Sequence, residues 1–201
     1  MTAAPDGASA IVLAGGRSRR FGSDKLEADL LGAPLLHHAL RAVASTCSEV
    51  IVVLASAGPV PALPTDVVSP IRMVRDETDR PGPLAALVTG ARAATAARSL
   101  VVAGDMPTLR PALLARLVRW ERGVGACLLV DHEPQVLPLG IDRDAALAEG
   151  GRRLAAGDRS LRALVTRLEL ELIQESEWRP LDPDGASLRD IDSPEDLHRA
   201  T

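Results

Sequence analysis

The alternation of short apolar runs with helical patterns constrains the fold of this 201-residue chain more than any other feature. Ser9–Leu13, Val50–Leu54 and Leu100–Ala103 are short apolar runs, typical of strands buried on both faces of a sheet. Stretches with apolar residues at helical spacing start at Pro34 and at Pro83. Since parallel strands need such crossovers, the sequence predicts an α/β fold with a mainly parallel sheet and helices on both faces.

The last third of the chain departs from this pattern. After residue 124, Ala126–Val130 and Val136–Ile141 are predicted to pair as strands around a polar turn. The other predicted elements are a strand at Ile71–Val74, a helix from Pro111, helices at Arg143–Ala156 and Leu161–Leu168, strands near Leu170–Gln174 and Leu188–Ile191, and a terminal helix opened by Ser193. There is no internal repeat and no long linker, so a single domain is predicted over residues 1–201.

The composition favours a soluble, cytoplasmic protein that binds neither nucleic acid nor membranes. Hydrophobic residues make up 46% of the chain, which is too large a share for a disordered protein. The net charge of -4 gives no general attraction to nucleic-acid phosphates or anionic lipids. No long apolar run or signal-peptide pattern occurs. Cys47 and Cys127 form no C-x-x-C pair and are expected to be free thiols.

A glycine-rich, basic loop follows the first predicted strand. Residues 13–25 have the sequence LAGGRSRRFGSDK, and glycines such as Gly16 let backbone N–H groups approach an anion closely. The basic members are Arg17, Arg19, Arg20 and Lys25. The spacing is neither that of a Walker A loop, since Ser23 stands where its lysine belongs, nor G-x-G-x-x-G. The loop predicts a triphosphate or pyrophosphate site; the alternative is a loop whose arginines are merely solvated.

Carboxylates lie at the ends of several predicted strands. Asp105 and Asp76 follow or end two of them, and Asp190 and Asp192 lie at the end of Leu188–Ile191. Ligands of open α/β sheets bind beyond the carboxyl ends of the strands, where a carboxylate such as Asp105 can hold Mg²⁺ against phosphate oxygens. For each aspartate the alternative is a turn or a helix N-cap.

Other chemistry has weaker support in the sequence. Gly82 precedes the helix that starts at Pro83, whose N-terminal N–H groups suit an anion, although a helix start without a ligand is an equal alternative. The histidines show no zinc spacing, and Asp131-His132-Glu133 is more typical of a hairpin turn than of a metal site. Because no protein nucleophile is evident, direct transfer between two bound substrates fits best.

An ordered set of motifs resembles the MobA-like nucleotidyltransferases, and within them the molybdenum cofactor guanylyltransferases. The motifs are Leu13-Ala14-Gly15-Gly16 with Arg19, Gly22, Asp24 and Lys25, then Gly32-Ala33-Pro34-Leu35, Gly82-Pro83-Leu84-Ala85, Gly104-Asp105-Met106-Pro107 and Asp192-Ser193-Pro194-Glu195-Asp196-Leu197. Residues 157–162 are similar to a stretch late in the guanylyltransferase subgroup. The resemblance covers nearly the whole chain, and it implies a Rossmann-like three-layer sandwich of the nucleotidyltransferase type.

The resemblance implies transfer of GMP from GTP to the terminal phosphate of molybdenum-bound molybdopterin, with release of pyrophosphate and with Mg²⁺ as cofactor. Residues 8–122 are then the nucleotide-binding part and 123–201 the acceptor-binding part, with transient contacts to molybdoenzymes or other cofactor-biosynthesis proteins. Lys25, Asp105 and Arg19 are the implied catalytic residues, and Asp105 the metal ligand. The implied nucleotide-binding residues are Leu13, Ala14, Gly15, Gly16, Lys25, Asp76, Gly82 and Asp105.

Some positions depart from the guanylyltransferase pattern. Phe21 stands where methionine is usual, and Asp190 and Asp192 stand where many members carry asparagine. Two stretches also resemble the molybdenum cofactor cytidylyltransferases, although those relatives usually have alanine in place of Gly15. The alternatives are therefore a cytidylyltransferase, a nucleotidyltransferase for another small phosphate, or a non-catalytic nucleotide-binding protein.

Overall fold

The computed structural model describes residues 7–15, 25–76 and 82–199. Its strands are β1 (Ala8–Ala14), β2 (Asp29–Leu30), β3 (Ala33–Pro34), β4 (Glu49–Ala55), β5 (Ile71–Asp76), β6 (Arg98–Ala103), β7 (Gly125–Val130), β8 (Glu133–Asp142) and β9 (Glu171–Ile173). Its α-helices are α1 (Leu35–Ala44), α2 (Pro83–Ala93), α3 (Pro111–Leu117), α4 (Arg143–Ala155), α5 (Leu161–Val165), α6 (Glu175–Trp178) and α7 (Pro194–Arg199), with 3₁₀ turns at Lys25–Glu27 and Ala186–Leu188.

The main sheet of the described chain has seven strands in the order β5-β4-β1-β6-β8-β7-β9. β1 pairs in parallel with both β4 and β6, and β4 pairs in parallel with β5. β8 runs antiparallel to both of its neighbours, and β9 is parallel to β7. The predicted mainly parallel, Rossmann-like sheet is therefore confirmed, as is the predicted pairing of the two strands that follow residue 124.

Helices cover both faces of the sheet. Successive residues of a strand point to opposite faces, and since both sets are apolar, each face has to be buried under a helix. Ala10 and Val12 of β1 belong to an apolar cluster that contains Leu36 and Leu40 of α1. Ile11, between them, packs instead in a second cluster with Leu84 and Leu87 of α2. Full burial of an aliphatic side chain of this kind contributes about 1.5–3 kcal/mol.

Two glycines let α2 approach its neighbours closely. A Cβ added at Gly90 of α2 would lie 2.4 Å from Cγ2 of Ile11 on β1. One added at Gly150 of α4 would lie 2.6 Å from Cγ2 of Val88 on α2. Both separations are shorter than carbon atoms tolerate, so glycine at these positions sets the spacing of the layer formed by α2 and α4 on the sheet.

The stretch Leu188–Ile191 was expected to be a strand, and this prediction was wrong. Within the described chain it follows the 3₁₀ turn at Ala186–Leu188 and runs outside the sheet. The N–H of Ile191 donates to the carbonyl of Asp105 at 3.0 Å, and its side chain packs with Leu30 and Leu35. The apolar character of Ile191 thus reflects its packing against β2 and the start of α1 rather than a place in the sheet.

A buried carboxylate holds the amino-terminal edge of the central strands together. Glu49, at the start of β4, accepts hydrogen bonds from the Ser9 hydroxyl at 2.6 Å, from the Thr95 N–H and hydroxyl at 2.7 Å, and from the Arg72 guanidinium at 2.7 Å. Burial raises the pKa of Glu49, but these donors outweigh it and lower the pKa from 4.5 to about 2.

This pKa shift predicts a pH-dependent stability. Between pH 4.5 and 2 Glu49 stays ionised in the folded protein, whereas in the unfolded chain it takes up a proton. The contribution of Glu49 to the free energy of unfolding is therefore lost as pH falls from 4.5 towards 2. Glu49→Gln should lower stability at pH 7 by about 1.5–3 kcal/mol and weaken the decline below pH 4.5. Urea unfolding between pH 3 and 7 measures both effects, with the exposed Glu121→Gln as control. An acid decline as steep in Glu49→Gln as in the wild type would contradict this assignment.

Candidate active site

The candidate site lies beyond the carboxyl ends of β1 and β6. The chain proceeds from β1 to β4 and β5 on one side, whereas β6 adds to the other side of β1. Such a reversal of strand order opens a crevice in which α/β proteins bind their ligands. Gly15 directly follows β1 and Asp105 follows β6 by two residues, so both lie at this crevice.

An ion cluster occupies the crevice. The ammonium of Lys25 lies 2.7 Å from Oδ2 of Asp105 and 2.9 Å from Oδ1 of Asp192. Lys25 is only 8% exposed, whereas the side chain of Asp192 is 57% exposed. The structure therefore brings together two residues predicted for the site, Lys25 and Asp105, and adds Asp192, whose role the sequence left open.

Charge compensation dominates the electrostatics of this cluster. Burial by itself lowers the pKa of Lys25, but the adjacent carboxylates of Asp105 and Asp192 raise it above its ordinary value. Loss of solvent, followed by the negative charges of Asp192 and Asp105, raises the pKa of the nearby Asp190. The other carboxylate oxygen of Asp105, Oδ1, is buried and has no hydrogen-bond partner in the described chain. Among the described residues the site thus has a surplus of acceptor oxygen, which suits a bound cation.

Residues 182–192 form a strap that carries Asp192 to the cluster. The hydroxyl of Thr108 donates to the carbonyl of Ala186 at 2.7 Å, and the N–H of Arg110 donates to Oγ of Ser187 at 2.8 Å. The strap is closed internally by Asp182, which is fully buried and accepts the N–H groups of Ala186 and Ser187 at 2.9 and 2.8 Å. Together with the Ile191–Asp105 backbone bond, these contacts fix Asp192 beside Lys25.

Glycines keep the walls of the crevice close to the backbone. A Cβ added at Gly15 would lie 3.2 Å from the backbone nitrogen of Ala55, at the end of β4. One added at Gly104 would lie 3.0 Å from Cδ1 of Leu36. Leu13 and Ala14, which precede Gly15, are half-buried at the end of β1. At Gly15 and Gly104 a side chain would therefore press on neighbouring residues at the ends of β1 and β6.

Asp76 and Gly82 lie at the same edge of the sheet but outside the ion cluster. Asp76 ends β5, three strands from β6, which corresponds to roughly 14 Å at ordinary strand spacing. It is 3% exposed and accepts a hydrogen bond from Thr89 of α2 at 3.4 Å. Gly82 is the N-cap of α2.

Arg159 is a candidate that the sequence analysis did not single out. It is exposed in the turn between α4 and α5, and its Cβ would lie 3.5 Å from a Cβ added at Gly82. Asp158 orders this turn by pairing with Arg153 and by accepting the N–H of Ser160 at 2.9 Å. The aliphatic part of the Arg159 side chain thus lies beside Gly82 at the N-terminus of α2. In the sequence, the only indication that Arg159 belongs to the site was its place in the Gly157–Arg162 stretch, which is similar to a family motif.

The remaining expectations concern the basic loop, the Asp131-His132-Glu133 stretch and membrane-spanning helices. Gly16 and Arg19 lie outside the described residues, and their roles stay predictions. Asp131 and His132 form the exposed β7–β8 turn, and no group of three or more metal-binding side chains occurs in ranges 7–15, 25–76 and 82–199. Nor does any helix in these ranges have the length and apolar character needed to cross a membrane.

Comparison with solved structures defines the class of fold. The chain matches the molybdopterin-guanine dinucleotide biosynthesis protein A of Archaeoglobus fulgidus with a TM-score of 0.74, covering 96% of each chain at 23% identity. It matches the 2-C-methyl-D-erythritol 4-phosphate cytidylyltransferase of Thermus thermophilus with a TM-score of 0.67, covering 98% of this chain and 97% of the other at 16% identity. The fold is thus the α/β fold of the nucleotidyltransferase type.

Sequence comparison then identifies the family. Residues 10–172 match the MobA-like NTP transferase domain, and the chain belongs to this family. A probable molybdenum cofactor guanylyltransferase of Chloroflexus aggregans is 40% identical over 196 residues, which cover 94% of this chain and 91% of the relative. One of Mycobacterium avium is 35% identical over 169 residues, which cover 81% and 83%. The family resemblance found in the motifs is therefore confirmed.

The strap yields a prediction about Asp182. Asp182→Asn replaces one acceptor oxygen by an NH₂ group, so one of the two buried N–H groups loses its partner, at a cost of about 1–3 kcal/mol. We expect a lower free energy of unfolding and faster hydrogen exchange at residues 186–192. Asp184→Asn, an exposed change in the same strap, should alter neither. Unchanged exchange in Asp182→Asn would show that the strap does not depend on this carboxylate.

Proposed function

We propose that this protein is a molybdenum cofactor guanylyltransferase, which transfers GMP from GTP to the terminal phosphate of molybdenum-bound molybdopterin and releases pyrophosphate. The observation that carries the proposal is the cluster of Lys25, Asp105 and Asp192 at the crevice beside β1. This cluster combines a cation for phosphate with carboxylates for a metal. The names of the relatives supply the acceptor and the nucleotide.

The proposed reaction is an in-line displacement in which the acceptor phosphate attacks the α-phosphorus of GTP. The bond from the α-phosphorus to the bridging oxygen breaks, and pyrophosphate leaves with its electron pair. The protein contributes orientation and charge neutralisation, so it needs no nucleophile of its own. Lys25 neutralises charge on the leaving pyrophosphate, assisted in this proposal by the N–H groups of the loop that begins at Gly15 and by Arg19.

The residues present fit a divalent cation, for which we propose Mg²⁺. Mg²⁺ prefers hard oxygen ligands and is commonly held by one or two carboxylates together with substrate phosphates. Asp105 offers the buried, unpartnered Oδ1, and Asp192 offers a second carboxylate beside it. The bound ion would polarise the α-phosphate. Asp105 is thus the proposed metal ligand.

The nucleotide is proposed to lie across the strand ends, with its base near Leu13, Ala14 and Gly15 and its phosphates near Lys25. Asp76 is proposed to contact the nucleoside. The close approach of Gly15 to Ala55 supports a guanylyltransferase over a cytidylyltransferase, since alanine, usual in the latter, would require these strand ends to shift by a few tenths of an ångström. The Gly-Pro-Leu motif that starts at Gly82 supports the same choice.

The acceptor is proposed to bind between the nucleotide and the C-terminal third, residues 123–201. Arg159 and the N-terminus of α2 at Gly82 converge there and suit an anionic group such as the pterin phosphate. Transient contact with molybdoenzymes belongs to the same proposal, because a product of this kind has to reach the enzymes that use it. A cytoplasmic location, where GTP is available, also remains part of it.

The first test is pyrophosphate release with Mg²⁺, molybdenum-loaded molybdopterin and GTP, CTP, ATP or UTP in parallel. We expect release with GTP and at least about tenfold less with the others. Asp105→Asn should lower GTP turnover by about 10²–10³-fold, by analogy with the loss of one transition-state contact. The exposed Asp144→Asn should turn over like the wild type. Pyrophosphate release with CTP alone would assign the protein to the cytidylyltransferases. If none of the four nucleotides gave pyrophosphate release, the proposal would be refuted.

A second test addresses the acceptor side. Arg159→Ala should raise KM for molybdopterin by about tenfold or more, the loss expected for one charged hydrogen bond, while KM for GTP stays unchanged. Steady-state kinetics with each substrate varied in turn separates the two constants. Arg167→Ala, also exposed and close in sequence, is the control. A rise in KM for GTP alone would place Arg159 on the nucleotide instead.

A further inference from the structure

We propose that Lys25 acts as a built-in cation that occupies the metal position between Asp105 and Asp192 in the ligand-free protein. The divalent ion then enters only when the phosphates of the nucleotide draw the ammonium away. This inference rests on the proposed function for the existence of a metal step. It adds an order of events, in which metal entry is coupled to nucleotide binding by an exchange of cations.

The geometry of Lys25 resembles that of a bound ion. Its ammonium contacts one oxygen from each of two carboxylates, at 2.7 and 2.9 Å, and the residue is almost completely buried. The carboxylates come from separate parts of the chain, the β6 end and the strap. Without a cation between them, Asp105 and Asp192 would repel each other. The ammonium therefore holds the β6 end and the strap together.

The choice of lysine at this position supports the same role. The chain has 23 basic residues, and Lys25 is its only lysine. An ammonium is a compact point charge with three rotatable donors, whereas a guanidinium is a planar fork suited to paired contacts with one carboxylate. A small cation between two carboxylates thus requires lysine, although arginine serves at every other basic position of this sequence.

The ammonium and the divalent ion compete for the same two carboxylates, those of Asp105 and Asp192. Both are cations, so both cannot sit between Asp105 and Asp192 without strong repulsion in a site of reduced solvent. The triphosphate resolves this conflict because it offers the ammonium another anion. Oδ1 of Asp105, which is buried and has no partner among the described residues, is a further ligand for the ion once the ammonium has moved. Lys25 consequently weakens metal binding before the nucleotide arrives and stabilises the leaving group afterwards.

The test measures Mn²⁺ binding to the nucleotide-free protein by electron paramagnetic resonance, which needs no turnover. Lys25→Gln removes the charge but keeps a hydrogen-bond donor, and we expect it to bind Mn²⁺ tighter than the wild type by on the order of tenfold or more. Lys25→Arg keeps the charge, although not the compact shape of the ammonium, and should bind Mn²⁺ more weakly than Lys25→Gln does. In the double variant Lys25→Gln, Asp105→Asn, Mn²⁺ binding should be no tighter than in the wild type.

Each outcome is decisive. If Lys25→Gln binds Mn²⁺ no tighter than the wild type, or if Lys25→Arg gains as much, the proposal is overturned. If Lys25→Gln folds poorly, Mn²⁺ should restore its melting temperature without affecting that of the wild type. The proposal is also overturned if Mn²⁺ does not raise the melting temperature of Lys25→Gln. Since GMP transfer is measured separately, a protein inactive with GTP that still shows this charge-dependent Mn²⁺ binding would refute the proposed reaction alone.

Discussion

The rest of the structure depends on the pairing of β1 with a parallel strand on each side. Ser9 to Ala14 are in register with β4, and Ala8 to Leu13 with β6, so this strand satisfies its backbone groups from both edges. The side chains of β1 pack in both apolar clusters, one on each face of the sheet. Because the ends of β1 and β6 are held together by this ladder, the residues that follow them meet in one crevice. Residues 182–192 then need only to dock on that crevice to complete the cluster.

The site contrasts with the opposite end of the sheet. At the amino-terminal edge, the Glu49 carboxylate has a donor for each of its oxygens and is fully compensated. At the carboxyl edge, one oxygen of Asp105 has no partner in the described chain, and the charges of Asp105 and Asp192 share a single ammonium. Full compensation is typical of groups that stabilise a fold, and partial compensation of groups that bind a ligand.

Much of the fold followed from the sequence because apolar strands and proline-started helices are local signals. The strands β1, β4 and β6 and the helix at Pro83 agree with prediction to within two residues. The stretch Leu188–Ile191 was wrongly predicted as a strand because Ile191 is apolar for a tertiary reason, its packing on Leu30 and Leu35. The contact of Lys25 with Asp192 joins positions 167 residues apart and has no local signal. The same holds for the contact of Arg159 with Gly82.

The antiparallel strand β8 has a mechanical consequence. It pairs with β6 on one side and with β7 on the other, so hydrogen-bonded pairing links all strands from β5 to β9 in the described sheet, with one register shift between Cys127 and Leu129 of β7. Hinge bending requires a boundary that few bonds cross, and this pairing provides none. The two ends of the crevice therefore cannot swing relative to each other as separate lobes. The separation between the β5 and β9 edges of the sheet is therefore set when the chain folds.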